Sequence, residues 1–220
     1  MSSFTNEDCM ELMAMYPDNH FDLAIVDPPY GIGININIGR RRGNKKSGYH
    51  KFYGEDKNIP DECYFNELFR VSKNQIIFGG NYMTDYLYPS PCWILWDKGF
   101  SEKVSFAQYE MAWTSFKTSA KKYDFNSALN NNRIHPTQKP VDLYKWLLKN
   151  YAKEGQLILD THVGSASSLI ACEDLGFDYV ACELDKDYYK LACDRIDEFR
   201  KQPKLFKQEK QYEHRIPRIK

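Results

Sequence analysis

The feature that most constrains the fold is a set of three short apolar runs, each followed by an acidic residue. They cover residues 21–26, 156–159 and 179–182, and the acids that follow them are Asp27, Asp160 and Glu183. Nearly continuous apolar runs of this length are typical of parallel strands that are covered on both faces. Ligands of open α/β sheets bind at the carboxyl ends of the strands. The sequence therefore predicts a Rossmann-like, doubly wound α/β fold with a mostly parallel sheet and an acidic active-site edge.

The first of these strands leads into Asp27, Pro28, Pro29 and Tyr30. The prolines fix their own φ angles, and Pro28 keeps Asp27 out of the helical region, so the segment is stiff before any ligand binds. The exocyclic amine of a nucleobase is a poor nucleophile because its lone pair is delocalised into the ring. The Asp27 carboxylate and the Pro28 carbonyl can accept both of its N–H groups, while Tyr30 stacks on a base flipped out of the duplex. An ordinary strand that ends in a proline-rich turn is the alternative.

A second motif combines a turn of small residues with a helix. Strand 156–160 is followed by the turn 161–167, by a helix that runs to Leu175 and by Gly176 as its C-cap. In such a unit the turn and the helix N-terminus hold a negative group, and an acid roughly 20 residues on binds ribose hydroxyls. Glu183 occupies that position. Alone, this pattern would suit NAD equally well.

Taken together, four segments resemble the family of DNA N6-adenine or N4-cytosine methyltransferases, in the permuted group whose catalytic motif precedes the cofactor motif. They are residues 6–10 followed by Pro17 and Asp18, residues 27–30, residues 135–140 and residues 160–167. The resemblance covers most of the chain. It implies a class I S-adenosylmethionine-dependent methyltransferase fold, with S-adenosylmethionine as cofactor and double-stranded DNA as partner.

The resemblance also implies roles for individual residues. Asp27, Pro28, Pro29 and Tyr30 would form the catalytic motif that holds the target base. The implied cofactor-binding residues are Asp8, His135, Thr137, Lys139, Asp160, His162, Gly164, Ser165, Glu183 and Leu184, with Asp8 near the adenine and segment 135–140 near the methionine end. Within this family an aspartate at the first motif position favours adenine N6. Cytosine N4 is the alternative, and a methyltransferase of structured RNA or protein amide, or a non-catalytic nucleic-acid-binding relative, are more distant ones.

The turn departs from the pattern Asp-Pro-Phe-x-Gly-Ser-Gly that many relatives carry. Thr161, His162 and Ala166 stand at three of its positions. Alanine does not adopt a positive φ easily, so we expect a turn of slightly different shape and an effect on cofactor affinity. We interpret His162 as a packing or orienting residue instead of a catalytic base.

Basic residues are concentrated in two places although the chain contains 30 basic and 30 acidic residues. The loop 31–57 beside Tyr30 is predicted to contact DNA phosphates through Arg40, Arg41, Arg42, Lys45, Lys46 and Lys51. Its aromatic residues Tyr49, Phe52 and Tyr53 either enter a groove or are ordinary surface residues. The tail 201–220 is also basic and is expected to be mobile.

Length and cysteine usage indicate a single intracellular domain. We expect one domain over residues 1–200, with a catalytic half at 1–134 and a cofactor half at 135–200. The six cysteines form no metal-ligand grouping, so we predict no metal site, and we interpret Cys172, Cys182 and Cys193 as core thiols of a reducing compartment. No signal peptide and no apolar run of ~20 residues is present, which predicts a cytoplasmic protein. The sequence leaves open a restriction endonuclease partner and the choice between monomer and homodimer.

The remaining segments are assigned from periodicity. We predict helices at 62–71, 81–87, 140–151 and 187–200, and a strand at 75–78. Strand 92–96 is predicted to pair with 106–116 as an antiparallel hairpin at the sheet edge, with Trp113 in the core. Residues 120–133 read as a polar loop. Residues 79–82 form a strand-to-helix turn or else line the base pocket.

Overall fold

The computed structural model describes residues 1–33, 58–100, 107–125, 134–135 and 137–202. Eight strands of the described residues form one sheet with the order β1-β8-β7-β2-β3-β5-β4-β6. In chain order they are Ser3–Thr5 (β1), Leu23–Val26 (β2), Gln75–Phe78 (β3), Trp93–Asp97 (β4), Tyr109–Thr114 (β5), Lys121–Asp124 (β6), Leu157–Asp160 (β7) and Asp178–Cys182 (β8).

Strands β1, β8, β7, β2 and β3 all pair in parallel. Strand β5 is antiparallel to both β3 and β4, and β6 is parallel to β4. The predicted mostly parallel α/β fold with an antiparallel hairpin is therefore confirmed. The hairpin is not at the edge, however, because β6 lies outside it.

The prediction of a polar loop at 120–133 was wrong for residues Lys121–Asp124, which form β6. Three of these four residues are exposed, and only Tyr123 packs against the core. An edge strand needs no continuous apolar face, so polarity alone did not distinguish it from a loop.

Within the described ranges five helices flank the sheet: Cys9–Ala14 (α1), Glu62–Val71 (α2), Val141–Tyr151 (α3), Ser167–Leu175 (α4) and Lys186–Lys201 (α5). The helix predicted at 81–87 was wrong, because only a 3-10 turn forms at Gly80–Tyr82. A segment this short gains too few hydrogen bonds to offset the cost of helix nucleation.

The two faces of the sheet carry separate cores. On β2, Leu23 and Ile25 contribute to the core under α3, α4 and α5, whereas Ala24 and Val26 contribute to the core under α1 and α2. This arrangement explains why β2 is apolar at every position. Trp113 belongs to the second core and is 1% exposed, as predicted.

Cysteines and membrane-spanning potential can be judged for the described part of the chain. Cys172 and Cys182 are buried thiols, as expected, while Cys193 is half-buried. No described helix is long and apolar enough to cross a membrane.

The neighbouring strands β2 and β7 mark the place where the chain turns to opposite sides of the sheet. From β2 the next strand along the chain lies on one side, as β3, and from β7 it lies on the other side, as β8. In open α/β sheets a crevice forms at such a switch point, outside the carboxyl ends of the strands. Asp27 and Thr161 directly follow the two ends.

Candidate active site

A cavity of about 280 Å³ lies beyond the ends of β2 and β7. All four predicted catalytic residues line it, as do nine of the ten predicted cofactor residues. The nine are Asp8, His135, Thr137, Lys139, His162, Gly164, Ser165, Glu183 and Leu184. The catalytic motif 27–30 and the predicted cofactor residues from His135 onward, more than 100 residues later in the sequence, thus line the same cavity.

The catalytic motif presents the Tyr30 hydroxyl to two carboxylates. This oxygen lies 2.6 Å from Asp27 Oδ1 and 2.8 Å from Glu110 Oε1. The ring of Tyr30 packs closely over Gly79, which has a φ of +69°; a Cβ there would lie 2.3 Å from two ring carbons. On the neighbouring 3-10 turn, Tyr82 stacks on Tyr30 with 5.5 Å between ring centroids and 20° between planes. The turn 79–82 therefore shapes the surroundings of Tyr30.

Two carboxylates and two lysines form a cluster next to Tyr30 in which Lys139 is buried and the other three side chains are half-buried. We call it the carboxylate–lysine cluster: Asp27, Glu110, Lys98 and Lys139. The Lys139 ammonium is ion-paired with Asp27 Oδ2 and lies 2.7 Å from Glu110 Oε1. Glu110 Oε2 lies 2.8 Å from Lys98 Nζ. Lys139 is only 3% exposed, so both of its carboxylate partners are needed to compensate for lost hydration.

The two carboxylates of the cluster differ in their protonation behaviour. Burial raises the pKa of Asp27; Lys139 opposes this effect and the neighbouring charge of Glu110 adds to it. Burial alone would also raise the pKa of Glu110, but Lys139 and Lys98 lower it to about 2. The pKa of Lys139 is raised because the two carboxylates outweigh the cost of burial. Glu110 is thus a permanent anion, and Asp27 is the better proton acceptor.

On the other side of the cavity, Glu183 organises the glycine turn. Its Oε2 accepts the Gly164 N–H at 2.7 Å, and its Oε1 accepts the Asp185 N–H at 2.9 Å. Burial raises the pKa of Glu183. Each carboxylate oxygen keeps a second acceptor site. The carboxylate can therefore still accept hydrogen bonds from hydroxyl groups inside the cavity.

Asp160 is the predicted cofactor residue that does not line the cavity. Its Oδ1 accepts the His162 N–H at 3.0 Å, and its Oδ2 accepts the Ser168 hydroxyl. The side chain is 3% exposed, and burial raises its pKa to about 7. Asp160 shapes the turn and the start of α4, and its proposed contact with a cofactor stays a prediction.

Ala166 adopts the conformation that we expected alanine to avoid. Its φ is +61°, in the left-handed region where glycine is favoured. The turn is held from outside by Arg195, whose guanidinium donates to the Ser165 carbonyl at 2.5 Å and to the Ser167 hydroxyl at 2.9 Å. These contacts and the packing of the buried Cβ offset the strain of the left-handed residue.

The two histidines of the cavity are neutral at pH 7. Burial lowers the pKa of both His135 and His162 to about 4. His135 Nδ1 accepts the Thr137 N–H at 3.3 Å, and its ring packs against Tyr188 with 4.3 Å between centroids. His162 Nδ1 lies 2.9 Å from the Thr161 hydroxyl. These contacts support the interpretation of His162 as an orienting residue.

Sequence reasoning missed several residues of the cavity and its surroundings. Glu110, which lies beside the cavity, is the most important. The missed residues of the lining itself are Cys9, Gln138, Tyr144, Val163, Asp185 and Tyr188. Asp185 and Tyr188 could have been found, because Asp185 is an N-cap and Tyr188 belongs to the apolar stripe of α5. Glu110 gave no local signal, since its role depends on the pairing of β5 with β3.

The predicted DNA-contacting residues Arg40, Arg41, Arg42, Lys45, Lys46 and Lys51 lie outside the described residues, as do the aromatic residues Tyr49, Phe52 and Tyr53 and the tail beyond Gln202. Within the described part of the chain, no group of three or more His, Cys, Asp and Glu side chains is arranged to hold a metal ion.

Comparisons with known proteins bear on this site. The family model N6_N4_Mtase, described as "DNA methylase", matches residues 93–194, which include segment 135–140 and the glycine turn. "Putative methylase YubD" of Escherichia coli (strain K12) is 26% identical over 218 residues, covering 89% of this chain and 90% of that protein. "Type II methyltransferase M.HpaI" of Haemophilus parainfluenzae is 24% identical over 223 residues, covering 82% of this chain and 69% of that protein.

Among solved structures, the "M1.HpyAVI-SAM complex" matches with a TM-score of 0.58 and 15% sequence identity. The match covers 90% of this chain and 100% of that chain. This likeness shows that the two chains share a fold.

Proposed function

We propose that the chain is a member of the family of DNA N6/N4 methyltransferases and that it methylates the N6 amine of adenine in DNA. The observation that carries the proposal is that Asp27 and Tyr30 face the same cavity as Gly164 and Glu183. One side of this space offers acceptors for an amine, and the other offers an acid on a glycine turn.

The residues on the glycine-turn side fit S-adenosylmethionine. The Glu183 carboxylate keeps acceptor sites for ribose hydroxyls. Gly164 leaves room beside His135, whose ring would be 3.8 Å from a Cβ at that position. Val163, Leu184 and Tyr188 add apolar surface to the lining. When bound, the cofactor supplies an electrophilic methyl group carried on a sulfonium.

On the other side, Asp27 and Tyr30 would hold the target base. Asp27 accepts an N–H of the amine, together with the Pro28 carbonyl, and this favours the tetrahedral nitrogen formed as the methyl group transfers. The raised pKa of Asp27 also suits it to accept the proton that the methylated amine loses. Tyr30 provides an aromatic face that offsets part of the stacking lost when a base leaves the duplex.

The choice of adenine over cytosine rests on Asp27 at the first position of the motif, as in adenine enzymes of this family. The test is to express the protein in cells that lack DNA methylation, to digest their DNA to nucleosides and to identify the methylated base by mass spectrometry. N6-methyladenine is expected. N4-methylcytosine instead would overturn the adenine assignment while leaving the family function intact.

A matched variant links the product to the proposed site. Asp27→Ala removes one preorganised acceptor and should slow single-turnover methyl transfer by about 10²-fold or more. Affinity for S-adenosylmethionine should change little, because Asp27 lies at the amine end. Single-turnover activity within a few fold of the parent would refute the role of Asp27.

Calorimetry distinguishes the proposed enzyme from a non-catalytic relative that only binds nucleic acid. The proposed enzyme should bind S-adenosylmethionine in isothermal titration, whereas a chain that kept only the DNA-binding loop should not. Transfer of the methyl group to RNA or to a protein amide is tested by offering these substrates in place of DNA.

A further inference from the structure

Both oxygens of Asp27 are engaged by other groups of the protein. Oδ1 accepts the Tyr30 hydroxyl at 2.6 Å, and Oδ2 is ion-paired with the Lys139 ammonium. A target amine would have to share this carboxylate with two strong donors. Each of these oxygens keeps a second acceptor site, but the ammonium and the hydroxyl withdraw negative charge from the carboxylate. The hydrogen bond from Asp27 to the amine therefore strengthens when the two donors move away.

Each of these donors already has a second acceptor, and it is the same atom in both cases. Glu110 Oε1 lies 2.8 Å from the Tyr30 hydroxyl and 2.7 Å from Lys139 Nζ. Small movements of one hydroxyl hydrogen and one ammonium group would transfer both hydrogen bonds to Glu110. Neither group would lose a partner in a buried place, which is the costly outcome.

Glu110 is itself fixed and kept charged. Its second oxygen, Oε2, lies 2.8 Å from Lys98 Nζ. Lys98 directly follows β4, and its backbone N–H donates to the Gln108 carbonyl at 2.9 Å. The carboxylate is therefore held between β5, which carries it, and the end of β4, which positions Lys98.

We propose that Glu110 is a positioning residue that takes over Lys139 and the Tyr30 hydroxyl when Asp27 turns to the target amine. Lys98 keeps Glu110 in place while this exchange of hydrogen bonds occurs. No covalent bond changes, and Lys139 keeps its proton throughout. The inference rests on the proposed function, because it assumes that Asp27 holds the amine.

The first test is Glu110→Gln, which keeps the size of the side chain and one acceptor oxygen but removes its charge. Lys139 would then stay with Asp27, its one remaining carboxylate partner. Single-turnover methyl transfer at saturating DNA and S-adenosylmethionine should fall by about tenfold or more, in the range of coupling between residues in contact. The dissociation constant of S-adenosylmethionine should stay within about twofold, since Glu110 does not line the cavity.

Glu110→Asp tests whether the charge or only the shape matters. This variant is shorter but keeps the carboxylate, so it should recover part of the rate that Glu110→Gln loses. If Glu110→Gln slowed the reaction only by loosening the packing of β5, Glu110→Asp would recover none of the lost rate. Glu67→Gln is the control, because Glu67 is also ion-paired, with Arg70, but lies outside the cavity; its rate should equal that of the parent.

A double-mutant cycle tests whether Glu110 acts through Lys139. In a Lys139→Met background, Glu110→Gln should change the rate by less than about twofold, because the ammonium to be handed over is gone and the amide oxygen of Gln can still accept the Tyr30 hydroxyl. Equal fold losses in both backgrounds would overturn the proposal. So would a Glu110→Gln rate within twofold of the parent, or Glu110→Asp no more active than Glu110→Gln. If the double variant does not fold, the rates of Glu110→Gln and Glu110→Asp relative to the parent decide whether the proposal stands.

The activity of the parent protein distinguishes a failure of the proposed function from a failure of the proposed role of Glu110. A folded parent that methylates no DNA would overturn the proposed function, and the role of Glu110 with it. An active parent with an unaffected Glu110→Gln variant would overturn the role of Glu110 alone.

Discussion

Glu183 connects the end of β8 to the glycine turn, and its carboxylate is the acid that we propose as the acceptor for ribose hydroxyls. Replacing it with alanine removes this acceptor and frees the Gly164 N–H. We expect Glu183→Ala to weaken S-adenosylmethionine binding by about 1.5–3 kcal/mol, the range for hydrogen bonds to a charged group. Isothermal titration measures the change, and Glu67→Ala is the control on a helix outside the cavity. An unchanged dissociation constant would remove Glu183 from the cofactor site.

Because Gly79 has no side chain, the ring of Tyr30 can pack directly against its backbone. A Cβ at Gly79 would lie 2.3 Å from the tyrosine ring, so Gly79→Ala must displace the ring. A misplacement of about 1 Å can cost up to about 10²-fold in rate, and we expect single-turnover methyl transfer to fall within that range. Cofactor affinity should stay within about twofold.

Gly155→Ala is the matched control for this variant. Gly155 also has a positive φ, +83°, but a Cβ there meets nothing within 4 Å. Both variants carry the same kind of backbone strain, of roughly 1–2 kcal/mol. Only Gly79→Ala should lose activity, and equal losses in both would indicate that strain, not contact with Tyr30, is the cause.

At the scale of elements, Asp160 joins the end of β7 to the start of α4 through Ser168. Burial raises its pKa to about 7 in the folded protein, well above the usual value for aspartate. Between about pH 4 and 7 the folded state holds a proton that the unfolded chain has released. Ionisation of Asp160 thus lowers the free energy of unfolding as the pH rises, by up to about 4 kcal/mol at and above pH 7.

Asp160→Asn removes this titration while keeping the shape and polarity of the side chain. We expect the free energy of unfolding of the variant, relative to the parent, to increase from pH 4 to pH 7. Urea unfolding at the two pH values measures it, and the comparison at pH 4 is the internal control. A difference between parent and variant that does not change with pH would contradict the assignment.

The elements of the sheet also show what can be predicted from sequence. The apolar runs before Asp27, Asp160 and Glu183 predicted β2, β7 and β8, because strands covered on both faces leave a local pattern. Polar β6 left no such pattern. The contact of Glu110 with Lys139 was not predictable either, since it depends on β5 lying beside β3 and on Lys139 lying next to Asp27. Ala166 showed that buried packing can hold a residue in a conformation that its own propensity disfavours.

At the scale of the whole molecule, the formal charge is zero, so DNA binding must depend on how the charges are distributed. Changing Arg40, Arg41 and Arg42 together to alanine should weaken DNA binding and flatten its salt dependence by up to about 0.9 for each lost phosphate contact. Filter binding over a range of salt concentrations measures the slope, and S-adenosylmethionine binding should not change. A variant whose affinity and salt slope equal those of the parent would show that DNA is bound by another part of the surface.

The edge strand β6 bears on whether two copies of this protein associate through their sheets. It occupies one end of the sheet, where unpaired backbone groups could add a strand from a second molecule. The strand has only four residues, and its exposed Lys121 and Lys122 would face the same charges in an approaching copy. We expect the double variant Lys121→Val, Lys122→Val to form larger assemblies in light scattering than the parent does. The two lysines would then serve the solubility of the enzyme without contributing to its chemistry.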